Sequence, residues 1–195
     1  MDILKEYAST ELNIKNSRFL AEVIPVKSQS EARSVLKSQK EKYKDASHVV
    51  HGFVLGTKGE ILGMSDDGEP SGTGGRPVLD VVKGRHCTNI LLTVTRWFGG
   101  TLLGTGGLVK AYGDSAKAVL DLAVFEPLIE KSPFNFSLPY DMYDQVKRFF
   151  TQYDITDVQE TFDTEIHISG LIPTINREEL NNYMVNLTKG RIEDI

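Results

Sequence analysis

At 195 residues, 25% charged and 40% hydrophobic, the chain has the make-up of a folded protein with one large domain or two small ones, which excludes a low-complexity or disordered chain. Its single cysteine, Cys87, excludes an intramolecular disulfide and argues for a reducing compartment. No stretch approaches the roughly 20 apolar residues of a membrane span, and Met1–Glu6 lacks the basic-then-apolar start of a signal peptide, so a cytoplasmic location without membrane contact is expected.

In chain order, residues 6–26 read as two extended segments, the second (Arg18–Val26) apolar and bounded by proline. Gln29–Lys44 reads as an amphipathic helix with Ala32, Val35 and Leu36 on one face. His48–Leu55 and Glu60–Met64, joined by Gly56-Thr57-Lys58-Gly59, read as a hairpin. A polar loop spans Ser65–Gly75, and Pro77–Lys83 is a short helix with proline in its first turn. Asn89–Trp97 is a buried strand, Phe98–Gly107 a glycine loop, and a helix follows from about Leu108 to Ala123. Two prolines and mixed charge mark Glu126–Pro133 as a linker. Beyond it come strand (Phe134–Leu138), helix (Met142–Tyr153), strands (Ile155–Phe162 and Glu165–Leu171), helix (Asn176–Leu187) and a last strand (Arg191–Ile195). That βαββαβ order is ferredoxin-like. The expected domains are 1–128 and 132–195.

The net charge of −5 is unevenly spread. Residues 76–117 carry six basic and two acidic residues, a balance of +4, while residues 132–195 carry eleven acidic and five basic, a balance of −6. The middle of the chain therefore attracts anions and the C-terminal part repels them.

Two glycine blocks hold the chemistry. In residues 65–77, Asp66, Asp67 and Glu69 place three carboxylates within four residues, followed by Gly72, Gly74 and Gly75. Such a loop serves as an anion nest, as a magnesium site, or as a turn whose side chains satisfy its own backbone. In residues 96–120, a strand ends at Arg96-Trp97 and Gly99, Gly100, Gly104, Gly106 and Gly107 lead into a helix, an arrangement that binds phosphate when the helix start is free. The spacing matches neither the Walker loop nor the dinucleotide fingerprint. His48 and His51, three apart in a strand, fall on opposite faces and do not share a metal. His86-Cys87 lacks a partner pair for zinc, and Cys87 reads as a buried thiol. Trp97 and Phe98 are candidates for stacking on bases, with the core as the alternative.

The segments Ser65-Asp66-Asp67-Gly68-Glu69-Pro70-Ser71-Gly72-Thr73, Thr95-Arg96-Trp97-Phe98-Gly99-Gly100 and Gly106-Gly107-Leu108-Val109-Lys110-Ala111-Tyr112 resemble the two signatures of the YigZ/IMPACT family, bacterial branch. The sequence departs from the family after His48, where Val49 and Val50 replace a polar residue or cysteine. The resemblance implies an α+β protein. Its N-terminal α/β domain would resemble the fold shared by a ribosomal-protein domain and the GHMP kinases, and its ferredoxin-like C-terminal domain would resemble domain V of elongation factor G. Eukaryotic members regulate translation by restraining an amino-acid-starvation kinase, a pathway absent from bacteria; it is the fold kinship with translation proteins through which the resemblance implies a translation-associated role.

The leading expectation is a non-enzymatic regulatory protein that binds RNA, the ribosome or another phosphate-bearing partner. Its anion-binding set is Arg76, Arg96, Gly99, Gly100, Gly104, Gly106, Gly107 and Lys110, beside an acidic loop of Asp66, Asp67 and Glu69 with His48. Neither cofactor nor resident metal is expected. The alternatives are a magnesium-dependent enzyme acting on a phosphorylated small molecule, and an adaptor whose protein partner docks on the C-terminal domain.

Overall fold

The structure, a computed structural model, describes residues 1–192. The chain divides into two compact units, Met1–Leu128 and Ile129–Ile195. The first contains strands Asp2–Leu4 (β1), Ala8–Ile14 (β2) and Ser17–Pro25 (β3), helix Gln29–Lys42 (α1), strands His48–Leu55 (β4) and Ile61–Ser65 (β5), helix Gly75–Gly84 (α2), strands Cys87–Thr88 (β6) and Ile90–Trp97 (β7), helix Gly104–Leu122 (α3) and strand Phe125–Pro127 (β8).

Its main sheet has the order β2-β3-β7-β4-β5, antiparallel throughout. Strand alternation divides the side chains between the two faces. Phe19, Ala21 and Val23 of β3, Val50 and Val54 of β4, and Ile90, Leu92 and Val94 of β7 form the main core with Val78, Val82, Tyr112, Ala116 and Val119 of α2 and α3. On the other face Leu55 and Leu91 meet Ala32 and Leu36 of α1. The start of α1 is capped: Glu31 N donates to Ser28 Oγ (3.2 Å), and Glu31 Oε2 accepts from Lys27 N (2.7 Å). Each large apolar side chain buried here stabilises by about 1.5–3 kcal/mol, so truncating one in the centre of β7, such as Leu92→Ala, costs about 2–5 kcal/mol.

Two differences from the sequence reading bear on function. Helix α3 begins at Gly104, four residues before the expected start, so Gly104, Gly106 and Gly107 lie in its first turn and not in a loop. Glycine has poor helix propensity, and burial of Leu108, Ala111 and Tyr112 along the same helix offsets it. The segments around residues 2–4 and 125–127, unassigned and linker by sequence, pair with each other, and the first also pairs with β6, in a small sheet of order β6-β1-β8.

The second unit runs Lys131–Leu138 (β9), Tyr143–Phe150 (α4), Thr156–Phe162 (β10), Ile166–Pro173 (β11) and Arg177–Leu187 (α5), with single 3-10 turns before each helix. Strand order is β10-β11-β9, antiparallel, compatible with a ferredoxin-like fold. Phe134, Phe136, Leu138, Ile166 and Ile168 pack on Val146, Phe150, Leu180 and Met184 of the two helices. Of the expected last strand, Arg191 and Ile192 lie in no strand, and residues 193–195 fall outside the described residues. Among the described residues no helix is long and apolar enough to cross a membrane.

Candidate functional site

Strand β7 alternates, and its even positions face α2 and α3. Arg96 therefore continues the apolar row Ile90, Leu92, Val94 beneath α3, where it is 5% exposed. Burial of a guanidinium requires a partner. Arg96 Nη1 donates to Glu69 Oε1 (2.6 Å), and Tyr112 Oη donates to the same oxygen (2.7 Å). Phe19 and Phe98 flank the guanidinium, each ring centre 5.5 Å away. Burial, reinforced by the hydrogen bond to Glu69, pushes the Tyr112 phenol well above its ordinary range. Arg96 and Glu69, read from sequence as members of separate basic and acidic sets, form one buried ion pair, so the Arg96 charge is balanced within the protein.

The other two carboxylates are also committed. Asp66 accepts from the backbone N–H of Gly72 (2.8 Å), Gly74 (3.0 Å) and Gly75 (2.8 Å). Burial alone would raise its pKa, and the three N–H groups together outweigh burial, leaving it below the ordinary aspartate value. The N–H groups of the first glycine block thus already hold an anion, the chain's own Asp66. Asp67 Oδ2 accepts from Val49 N (2.7 Å), its Oδ1 pairs with Lys40, and its carbonyl accepts from His48 Nδ1 (2.8 Å). Among the described residues no group of three or more His, Cys, Asp or Glu is placed to hold a metal.

A cleft of about 440 Å³ opens between residues 68–70 and 98–108. His48, Glu69 and Arg96 line it together with Phe98, Leu102 and Thr105. Phe98 is 48% exposed and Leu102 83%. Loop 98–103 is shaped by close approach: a Cβ at Gly99 would lie 1.9 Å from the Asn16 carbonyl oxygen. Phe98 N is held by Ser47 Oγ (3.1 Å) and Gly99 N by Ser17 Oγ (3.2 Å). Helix α3 starts at the cleft without a side-chain cap, which leaves its first-turn N–H groups to solvent or a ligand.

The cleft gathers His48, Glu69, Arg96 and Gly104 of the expected set, with Gly106 and Gly107 in the adjoining first turn of α3. Arg76 and Lys110 are not among its lining. They are exposed and paired one helical turn away with Asp80 and Asp114, each at 2.8 Å. Trp97, facing α1, donates to Asp45 (2.9 Å) and stacks under Arg18. His51 shares that face, where burial pushes its pKa down to about 4 and keeps it neutral. Cys87 is buried and its thiol pushed up to about 11. Neither Tyr112 nor Ser17 is marked as functional by composition or local pattern. Tyr112 stands in a glycine signature, yet nothing local shows that its hydroxyl reaches residue 69.

These features define a two-domain α+β protein with an apolar-walled, helix-headed cleft in its larger domain. The Impact N-terminal domain matches residues 15–120, and a domain of unknown function, DUF1949, matches residues 136–191. The chain belongs to the IMPACT family. An IMPACT family member of Haemophilus influenzae is 32% identical over 93% of this chain and 89% of its own length. The IMPACT family member YigZ of Escherichia coli is 28% identical over 92% and 89%. A crystal structure of a hypothetical protein superposes with a TM-score of 0.76 at 26% identity, covering 97% of this chain and 93% of that one.

Proposed function

We propose that this chain is a translation-associated regulatory protein that binds RNA, free or within the ribosome, in the cleft between the glycine segments. The observation that carries the reading is the meeting, in one cleft, of an uncapped helix start with an exposed aromatic ring. The first suits phosphate and the second stacks a base. The +4 balance of residues 76–117 supplies attraction at longer range, and the family resemblance supports the link to translation. The magnesium-enzyme alternative loses its geometric basis, because Asp66, Asp67 and Glu69 answer to three separate sets of protein donors.

Filter binding of single-stranded and structured RNA at two salt concentrations tests this. Phe98→Ala is expected to weaken single-strand binding by roughly 5- to 100-fold, as loss of one stacked base does. Arg76→Ala and Lys110→Ala should mainly reduce the salt dependence. Absence of binding at low salt, or binding indifferent to Phe98→Ala, overturns the reading. A protein partner on the C-terminal domain is a second reading, favoured by Tyr140 and Phe162, exposed by 54% and 55% with rings 6.5 Å apart. Its check is whether Phe162→Ser abolishes retention of purified ribosomes on the immobilised chain.

A further inference from the structure

The base of the cleft carries a specific hydrogen-bonding pattern. The Asp67 carbonyl only accepts, so His48 Nδ1, 2.8 Å away, carries a proton, and in the neutral tautomer Nε2 presents a lone pair. On Glu69, both protein donors, Arg96 and Tyr112, go to Oε1. Its Oε2 accepts from no protein donor among the described residues, although Glu69 is only 7% exposed. The polar atom beside Oε2 is His48 Nε2, at 3.8 Å. With the ring neutral, two acceptors thus face each other across the cleft, 3.8 Å apart. One group bearing two hydrogens reaches both.

The surroundings decide which kind of donor fits. An ammonium gains little, because Arg96 already balances the Glu69 charge. Of the remaining lining, Pro70, Phe98, Leu102, Leu103 and Leu108 are apolar and suit a flat ring, and Thr105 adds one hydroxyl. The volume, about 440 Å³, is within the ~300–1,000 Å³ of small-molecule sites. A ring with an NH₂ substituent satisfies every condition. A ring with a carbonyl at the same place meets two acceptors with a third and is rejected.

The geometry points to a pocket in which His48 Nε2 and Glu69 Oε2 together read the exocyclic amino group of an unpaired nucleobase, a refinement that rests on the RNA reading above. Because base pairing consumes that amino group, the pocket selects single strands. It favours adenine over hypoxanthine and cytosine over uracil, and Phe98 supplies stacking that does not distinguish among them.

Fluorescence anisotropy of the full chain with short labelled oligomers of adenylate, inosinate, cytidylate and uridylate tests this. Adenylate should bind more tightly than inosinate, and cytidylate than uridylate, by roughly 5- to 100-fold, the discrimination of a two-hydrogen-bond base contact. His48→Ala, at a half-buried position, should bring both ratios close to one. Phe98→Ala should weaken all four oligomers while preserving the ratios. Thermal unfolding of His48→Ala checks that it remains folded. Equal binding of the paired oligomers, or ratios unchanged in His48→Ala, overturns the pocket and leaves the RNA reading standing. Failure of all four to bind overturns the RNA reading and the pocket with it.

Discussion

Glu69 and Arg96 illustrate how a buried charge constrains its neighbours. With both partners at or below 7% exposure, removing one leaves the other uncompensated. Arg96→Ala or Glu69→Ala should each cost about 3–5 kcal/mol in urea unfolding, whereas Arg96→Met combined with Glu69→Leu should cost less than either single change. Tyr112→Phe should cost about 1–2 kcal/mol, since Glu69 Oε1 keeps Arg96. Asp66 sets an acid limit. Its folded value is lowered, so the stability it contributes is fully present above the ordinary aspartate value of about 3.9 and is lost as pH falls through the lower folded value. Asp66→Asn should flatten the loss of stability below about pH 4, measured by unfolding across an acid series.

At the scale of elements, α3 is both scaffold and site. Gly113 sits mid-helix with nothing within 4 Å of an added Cβ, so Gly113→Ala should stabilise by about 0.5–1 kcal/mol. Gly104, at the cleft, has a φ of +73°, so the same substitution there should destabilise despite open space. Melting temperatures moving in opposite directions would confirm that backbone conformation, and not helix propensity alone, shapes the α3 start. Strand β4 makes the complementary point. One alternation sends His48 to the cleft and His51 to the buried face under α1, so two chemically identical side chains have unrelated environments.

Across the whole molecule, charge separates the units. Residues 132–195 carry −6 of a total of −5, and Glu130 and Lys131 cancel, which leaves +1 on residues 1–128. We expect residues 1–128, which hold their own core, to fold alone and to bind RNA more tightly than the full chain at low salt. The difference should shrink as salt screens the acidic unit. Affinities of the two forms measured across a salt series check this.

The sequence by itself determined the family, the α+β class, most elements and the two glycine segments as the place to look, because hydrophobic period, turn chemistry and signature motifs are local properties of the chain. It left open which acidic and basic groups meet. Glu69 and Arg96 are 27 residues apart, and Glu69 and Tyr112 are 43 apart, separations that no periodicity encodes. It also placed Gly104, Gly106 and Gly107 in a loop, because glycine argues against helix wherever packing on a sheet does not intervene. Only the tertiary structure decided that Asp66 fills the first glycine block, while in the second the start of α3 has no side-chain cap. That outcome depends on where β4, β7 and α3 bring their ends together, and so on long-range pairing and burial.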